Sequence, residues 1–261
     1  MGEFARLDIT LRRRSIAGYA LGMALYTIVI VALFPAFKDM TALDNFVKSD
    51  STAAALFGIT GSLSSAIGWL NGNIYGNFLP LVMLFLTIGY GAASLAGQDE
   101  EGTLCLVVTL PVPRWRIVVE KAGALVLQAV LVAVAVAVAV IAGRAFGLDV
   151  AVWPLFATSL AVALLGIDFG LAAMAIGTFT GTRTTAIAAA TAIAVVSYLI
   201  SSLAPVVSFV EPLRYVSLFY WSVGNNQLAN GVGAAGWAVL IVAGLAVLAV
   251  AVRGFRTLDL H

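Results

Sequence analysis

The sequence predicts an all-α integral membrane protein with six transmembrane helices, and three observations carry that reading. Of 261 residues, 62% are hydrophobic and only 10% are charged, where a soluble domain carries about 25% charged residues. The apolar residues gather in six runs close to the ~20 residues a helix needs to cross a bilayer. One run is an almost pure Val/Ala alternation, which in water would read as a strand. In lipid a strand needs a closed barrel to satisfy its backbone, so length and unbroken apolarity decide for helix.

Composition also excludes several function classes. The net charge is +1, which offers no field for a polyanion, so nucleic acid is not an expected partner. The single cysteine, Cys105, rules out an intrachain disulfide and a cysteine-cluster metal site. The single histidine is His261, so neither a catalytic histidine nor a histidine-rich metal site is expected. No Asn-x-Ser/Thr sequon occurs. Arginine outnumbers lysine 11 to 3 and Ala/Val runs are long, which points to a GC-rich bacterial genome and a bacterial inner membrane.

Residues 1–15 set Arg6, Arg12, Arg13 and Arg14 among Leu7, Ile9 and Leu11. That alternation suits a short interfacial helix on the inner leaflet; a solvated basic tail is the alternative. The apolar stretch that follows exceeds the roughly 7–15 residues of a signal peptide and has no cleavage pattern after it. Ile16–Phe34 is the first expected span, closed by Pro35 and Lys38. Residues 38–77 read as an outer loop with short helices, Asn71-Gly-Asn73 and Gly76-Asn77 marking turns at its end. Phe78–Gly97 is the second span.

Residues 98–121 follow, QDEEGTLCLVVTLPVPRWRIVVEK. Asp99, Glu100 and Glu101 form an acidic start, Gly102 and Thr103 follow, and Leu104 to Leu110 can present one apolar side of a short helix. Carboxylates at a helix start complement its dipole. Pro111 and Pro113 stop such a helix, and Arg114, Arg116 and Lys121 turn the charge positive. The pattern suits a device that grips another protein at a membrane surface; a solvated acidic loop is the alternative.

Ala122–Ala142 is the third span and residues 143–151 a short outer loop. Val152–Thr178 is the fourth span, Gly181–Thr185 a tight inner turn and Ala186–Val207 the fifth span. Residues 208–235 mix Glu211, Arg214 and Asn225 with Tyr215, Phe219, Tyr220 and Trp221. Tyr and Trp favour the bilayer interface, so this segment reads as an outer element dipping into the headgroups. Gly236–Val252 is the sixth span, rather short. With cytoplasmic termini, ten of the 14 Lys and Arg residues fall inside and four outside, which fixes the orientation by the positive-inside rule.

Three motifs in this order resemble the permease subunit of ABC-2-type ABC transporters, a family of bacterial exporters. They are Gly97-Gln-Asp-Glu-Glu-Gly-Thr103, Thr109-Leu-Pro-Val-Pro-Arg-Trp-Arg116, and Pro212-Leu-Arg-Tyr-Val-Ser-Leu-Phe-Tyr-Trp221 with Asn226-Gln-Leu-Ala-Asn-Gly231. The resemblance covers essentially the whole chain as a single permease domain, 1–261. Two departures stand out: Cys105 replaces a common Glu, and Val216-Ser-Leu218 lacks a frequent Ser-Pro. The resemblance implies a cytoplasmic coupling helix between spans two and three that docks on an ATP-binding subunit, with Asp99 to Leu104, Pro111, Arg114 and Arg116 as its contact. It implies outer re-entrant helices between spans five and six, with Tyr215, Phe219, Tyr220 and Trp221 as gate candidates. Six spans then make half a transporter, completed by a second permease and two ATPase subunits. The chain has no G-x-x-x-x-G-K-[ST] phosphate loop, so ATP and Mg²⁺ belong to the partner.

Two intramembrane polar residues stand out. Asp168 lies deep in span four, where a charge costs a few kcal/mol even on lenient scales, making it a functional candidate. Hydrogen bonding inside the bundle or contact with a water-filled cavity is the structural alternative. Gln128 in span three is expected to donate a hydrogen bond between helices. Gly166/Gly170, Gly18/Gly22 and Gly177/Gly181 are small-xxx-small pairs, frequent by chance among 25 glycines. Met83 and Phe85 read as packing or lipid-facing. Sparse charge in the spans favours an apolar or amphipathic cargo. The rivals are an ion-coupled secondary carrier using Asp168, and a membrane anchor or regulator of an ATPase that moves no cargo.

Overall fold

The computed structural model describes residues 3–38, 63–104, 112–224 and 226–257. All regular structure among them is helical. Six helices are long and apolar enough to cross a membrane: α1 (Glu3–Phe37), α2 (Ala66–Glu100), α3 (Arg114–Ala142), α4 (Val152–Thr180), α5 (Arg183–Leu203) and α6 (Ala234–Thr257). The amphipathic helix expected from Leu104 to Leu110 lies outside the described residues apart from Leu104, as do the expected short helices between 39 and 62.

The first helix corrects the expectation of a separate interfacial segment. Residues Glu3–Phe37 form one helix of 35 residues, about 52 Å long at 1.5 Å per residue against a hydrocarbon core of about 30 Å. No Gly or Pro interrupts it before Gly18. Its first turns pack on the bundle, with Ala5 and Asp8 buried.

α2 corrects the expected outer turn. Asn71–Tyr75 is π-helical rather than a loop, and Ile74 and Tyr75 are fully buried. Tyr75 is held by a 2.7 Å hydrogen bond between its hydroxyl and Ser159 Oγ on α4. A turn at Gly76 and Asn77 precedes Phe78–Ala92. A second π-helical stretch, Ala93–Gly97, carries the helix onward to Glu100. The sixth helix, Ala234–Thr257, has 24 residues and is not short.

α4 is the axis of the bundle. It packs against α2, α3, α5 and α6, and 78% of its apolar window is buried, against 22% for α1, α5 and α6. Small residues allow the approach. A Cβ on Gly91 of α2 would collide with the carbonyl oxygen of Gly170 on α4, and one on Gly170 would meet Thr87. The Gly166/Gly170 pair therefore serves packing within the chain, whereas Gly18 and Gly22 face open space. α5 lies on α4 through Ala186, Ala190 and Ala194, one residue per turn. Gly181, at φ 64°, makes the left-handed turn between the two, donating to Gly177 O at 3.0 Å.

Hydrogen bonds bring the start of α1, the end of α2, the start of α3 and the end of α6 to one end of the bundle, called here the terminal end. The opposite end holds the connection from α5 to α6. It contains the 3₁₀ turn Glu211–Val216, the π-helical Tyr220–Gly224 and the short helix Gln227–Asn230.

Candidate functional site

At the terminal end a polar junction sits inside an otherwise apolar bundle. Lys121 on α3 is 2% exposed and Asp8 on α1 8%. The Lys121 ammonium lies 3.2 Å from Asp8 Oδ2 and donates to Gln98 Oε1 at 3.0 Å. The Tyr90 hydroxyl donates to the same Asp8 oxygen at 2.6 Å, and its ring carries the Arg12 guanidinium 4.9 Å from its centre. Buried charges are tolerated when paired and hydrogen-bonded, and this pair has partners on three helices.

A second layer of contacts surrounds that junction. Glu120 accepts the Phe4 backbone N–H at 3.0 Å and Arg116 Nε at 2.9 Å. Arg114, the first residue of α3, donates to the carbonyls of Phe255 and Arg256 at 3.4 and 3.3 Å. Glu100 Oε1 accepts the backbone N–H of Arg183 at 2.9 Å. The last contact puts a carboxylate on the N-terminus of α5, where the helix dipole favours it.

The acidic run therefore stands differently from the expectation. Gln98–Glu100 ends α2 instead of starting the next helix, because the π-helical stretch carries α2 past Gly97. Asp99 is buried, with Oδ1 lacking a hydrogen-bond partner. Glu101 is exposed. Gly102, at φ 69°, turns the chain, its N–H donating to Asp99 O at 2.9 Å. Thr103 Oγ1 donates to Gln98 O at 3.2 Å and Leu104 is fully buried. Pro111 is outside the described residues. Asp8, Tyr90 and Gln98 escaped the sequence reading. The one available signal was an acid within the basic N-terminal stretch.

The intramembrane candidates are separate from the junction. Gln128 donates to Ala124 O of its own helix at 3.2 Å, not to another helix. Asp168 is 2% exposed and neither oxygen has a hydrogen-bond partner. It faces α6 at Gly244, where a Cβ would lie 2.6 Å from Oδ1. The expected internal hydrogen bond is absent among the described residues.

A cavity of about 420 Å³ opens between α2 and α5. Its walls are apolar, with Leu81, Leu84, Phe85 and Ile88 on one side and Ile187 and Val195 on the other. Phe85 is thus a groove residue, while Met83 is packed in the core. Towards the opposite end, the Tyr198 hydroxyl donates to Asn77 Oδ1 at 2.5 Å. Phe219, 3% exposed, borders the groove and packs on Phe169 and Tyr198 with ring centres 6.1 and 5.3 Å away. The other gate candidates, Tyr215, Tyr220 and Trp221, cluster with one another in the same connection, with ring centres 5.3–6.1 Å apart.

The model of one protein family, the ABC-2 family transporter protein, matches residues 4–260. The chain belongs to the ABC-2 transporter family. It is a membrane permease component that carries out transport rather than catalysis, and ABC-2 permeases generally work with ABC ATP-binding subunits. Comparison with curated proteins gives no match. In this ABC-2 permease the acidic run thus adjoins the polar junction, and Phe219 borders the apolar groove.

Proposed function

We propose that this ABC-2 permease is half of an ATP-driven exporter in a bacterial inner membrane, with both termini in the cytoplasm. A second permease, identical or homologous, and two ATPase subunits complete it, and those subunits hold ATP and Mg²⁺. The observation that carries this reading is the terminal-end network. Through side chains of Asp8, Tyr90, Gln98, Glu100, Arg114 and Lys121, five of the six spans meet beside the acidic run. A push delivered there by a bound ATPase reaches α1, α2, α3, α5 and α6 together. The apolar groove between α2 and α5 supports an apolar or amphipathic cargo, such as a drug, antibiotic or lipid-like molecule, entering from the bilayer.

The test begins with orientation. In a Cys105→Ser background, an impermeant thiol reagent should label Phe209→Cys from outside and Thr182→Cys from inside. The reverse pattern removes the coupling assignment. Glu101→Lys should then weaken association with the ATPase while the bundle still folds, since Glu101 is exposed. Full coupled hydrolysis by that variant would show that this acid is no part of the docking surface.

One observation favours a second reading. Asp168, buried with two unpartnered oxygens, is where an ion-coupled carrier would bind its ion. Asp168→Asn should leave ATP-driven transport largely intact. Loss of transport with normal expression, together with gradient-driven uptake in vesicles lacking ATP, would favour the carrier.

A further inference from the structure

Beyond Phe219 the chain forms an aromatic group around a cation of its own. The Arg214 guanidinium lies 4.8 Å from the centre of the Tyr215 ring and 5.4 Å from that of Tyr220. Trp221 stands nearly perpendicular to Tyr220, at 81° and 5.3 Å. The walls are fixed by bonds that do not involve Arg214. Trp221 Nε1 donates to Tyr215 O at 2.9 Å, and Gln227 Nε2 donates to the carbonyls of Tyr220 and Trp221 at 3.0 and 3.2 Å. Removing the arginine therefore leaves the rings in place, which is the preorganisation a binding site needs.

Arg214 is an imperfect occupant. Its Nη2 donates to the Tyr215 hydroxyl at 2.7 Å, but its Nε is buried with no hydrogen-bond partner. The nearest acid, Glu211, is 3.8 Å from Nη1 in a partly exposed pair, a weak contact. A cation without N–H groups has no donor to leave unsatisfied. Aromatic faces attract such cations through the ring quadrupole, and quaternary ammonium groups are the usual guests.

Position supplies the rest. Phe219 borders the apolar groove, and Tyr220 and Trp221 are the next two residues. An elongated molecule with its apolar body against Phe219 therefore lies beside the short connection that carries these rings. We propose that Tyr215, Tyr220 and Trp221 form a cation site, held by Arg214 in this state, that receives the quaternary ammonium head of an amphipathic cargo on its way out. The cargo assignment rests on the exporter reading; the cation site itself does not.

The experiment isolates the head. Choline and its uncharged carbon isostere, 3,3-dimethylbutan-1-ol, are titrated by ligand-detected NMR against the permease in lipid nanodiscs, with empty discs subtracted. Arg214→Ala should bind choline at least tenfold more tightly than the wild type, with no gain for the isostere. Adding Tyr220→Leu should abolish the gain. Arg214→Gln, which keeps the side-chain length, should reproduce the gain and serves where the alanine variant fails to insert. Equal affinities in wild type and both arginine variants would overturn the site, as would a gain shared by the isostere or one that survives loss of Tyr220. Neither ATP nor a partner enters this measurement. Choline binding without coupled hydrolysis keeps the site and removes the exporter; coupled hydrolysis without choline binding does the reverse.

Discussion

The two ends of the bundle are built from different forces. At the terminal end, a buried ion pair and its hydrogen bonds join helices far apart in sequence: Asp8 meets Lys121 across 113 residues and Glu100 meets Arg183 across 83. At the opposite end, Tyr215, Tyr220 and Trp221 pack on one another within one short connection, and Phe219 fastens that connection to Phe169 of α4 and Tyr198 of α5. Ser217 Oγ ties that connection to α5 by donating to Ser197 O at 2.6 Å. A network of directional, buried partners has few alternative arrangements, so it transmits displacement. Edge-to-face rings on a short connection can part and re-form at low cost. On the exporter reading proposed above, the difference assigns the entry of force to the end with buried polar groups and release to the end with half-exposed aromatic groups.

The sharpest way to break this comparison is to leave Lys121 without a partner or Asp8 without a cation. Lys121→Met strands the Asp8 carboxylate and should cost about 3–5 kcal/mol, while Asp8→Leu combined with Lys121→Met should recover most of it. Unfolding in detergent micelles measures both. A Lys121→Met protein as stable as wild type would mean that the junction holds nothing together.

Next in size is the axis that both ends share. Gly91→Ala drives a methyl into the Gly170 carbonyl and should destabilise by about 1–3 kcal/mol. Gly123→Ala, where a Cβ meets nothing within 4 Å, should be neutral or slightly stabilising through helix propensity. Equal effects at the two glycines would contradict the close approach of α2 and α4.

At the opposite end, Ser217→Ala removes the two hydrogen bonds of its hydroxyl, to Ser197 O and Ser197 Oγ, and should cost about 1–2 kcal/mol, visible as a modest shift in the same unfolding measurement. A loss as large as that of Lys121→Met would erase the contrast between the ends. Smallest of all is Arg116→Ala. Its pair with Glu120 is half-exposed, so stability should change by about 0–1 kcal/mol, and a larger loss would place Arg116 inside the junction.

The spans were legible because hydropathy and length are local properties, and each expected span lies within one of the six helices apart from Ala204–Val207 at the end of the fifth. Two of their ends were legible as well, Ala142 closing α3 and Val152 opening α4, while most others were not. Proline and glycine mark where a helix can stop, but Ala93–Gly97 passes its glycine by widening to a π-helix, which depends on packing against α4. The family motifs were legible as strings. What the acidic run touches was not, because Glu100 caps a helix that begins 83 residues later. Asp8 could be read as one more polar residue of a basic tail, and only the fold brings Lys121 and Tyr90 to it. Gln128 shows the converse: a side chain suited to joining helices finds its own helix's carbonyl first.

The backbone contact between Gly91 and Gly170 also bears on how the protein is made. A membrane protein is inserted segment by segment, amino terminus first, and its helices associate afterwards. α1 and α3 pack on each other and can pair through Asp8 and Lys121 as soon as the third segment is in the bilayer. α2 can join them through Tyr90 and Gln98, but its glycine face fits the fourth segment, which is synthesised last of the four. During that interval α2 presents Thr87, Gly91 and Ser94 to lipid. Assembly of the core is thus gated by the arrival of α4, and a ribosome stalled before residue 180 leaves the first three segments without the helix that organises them.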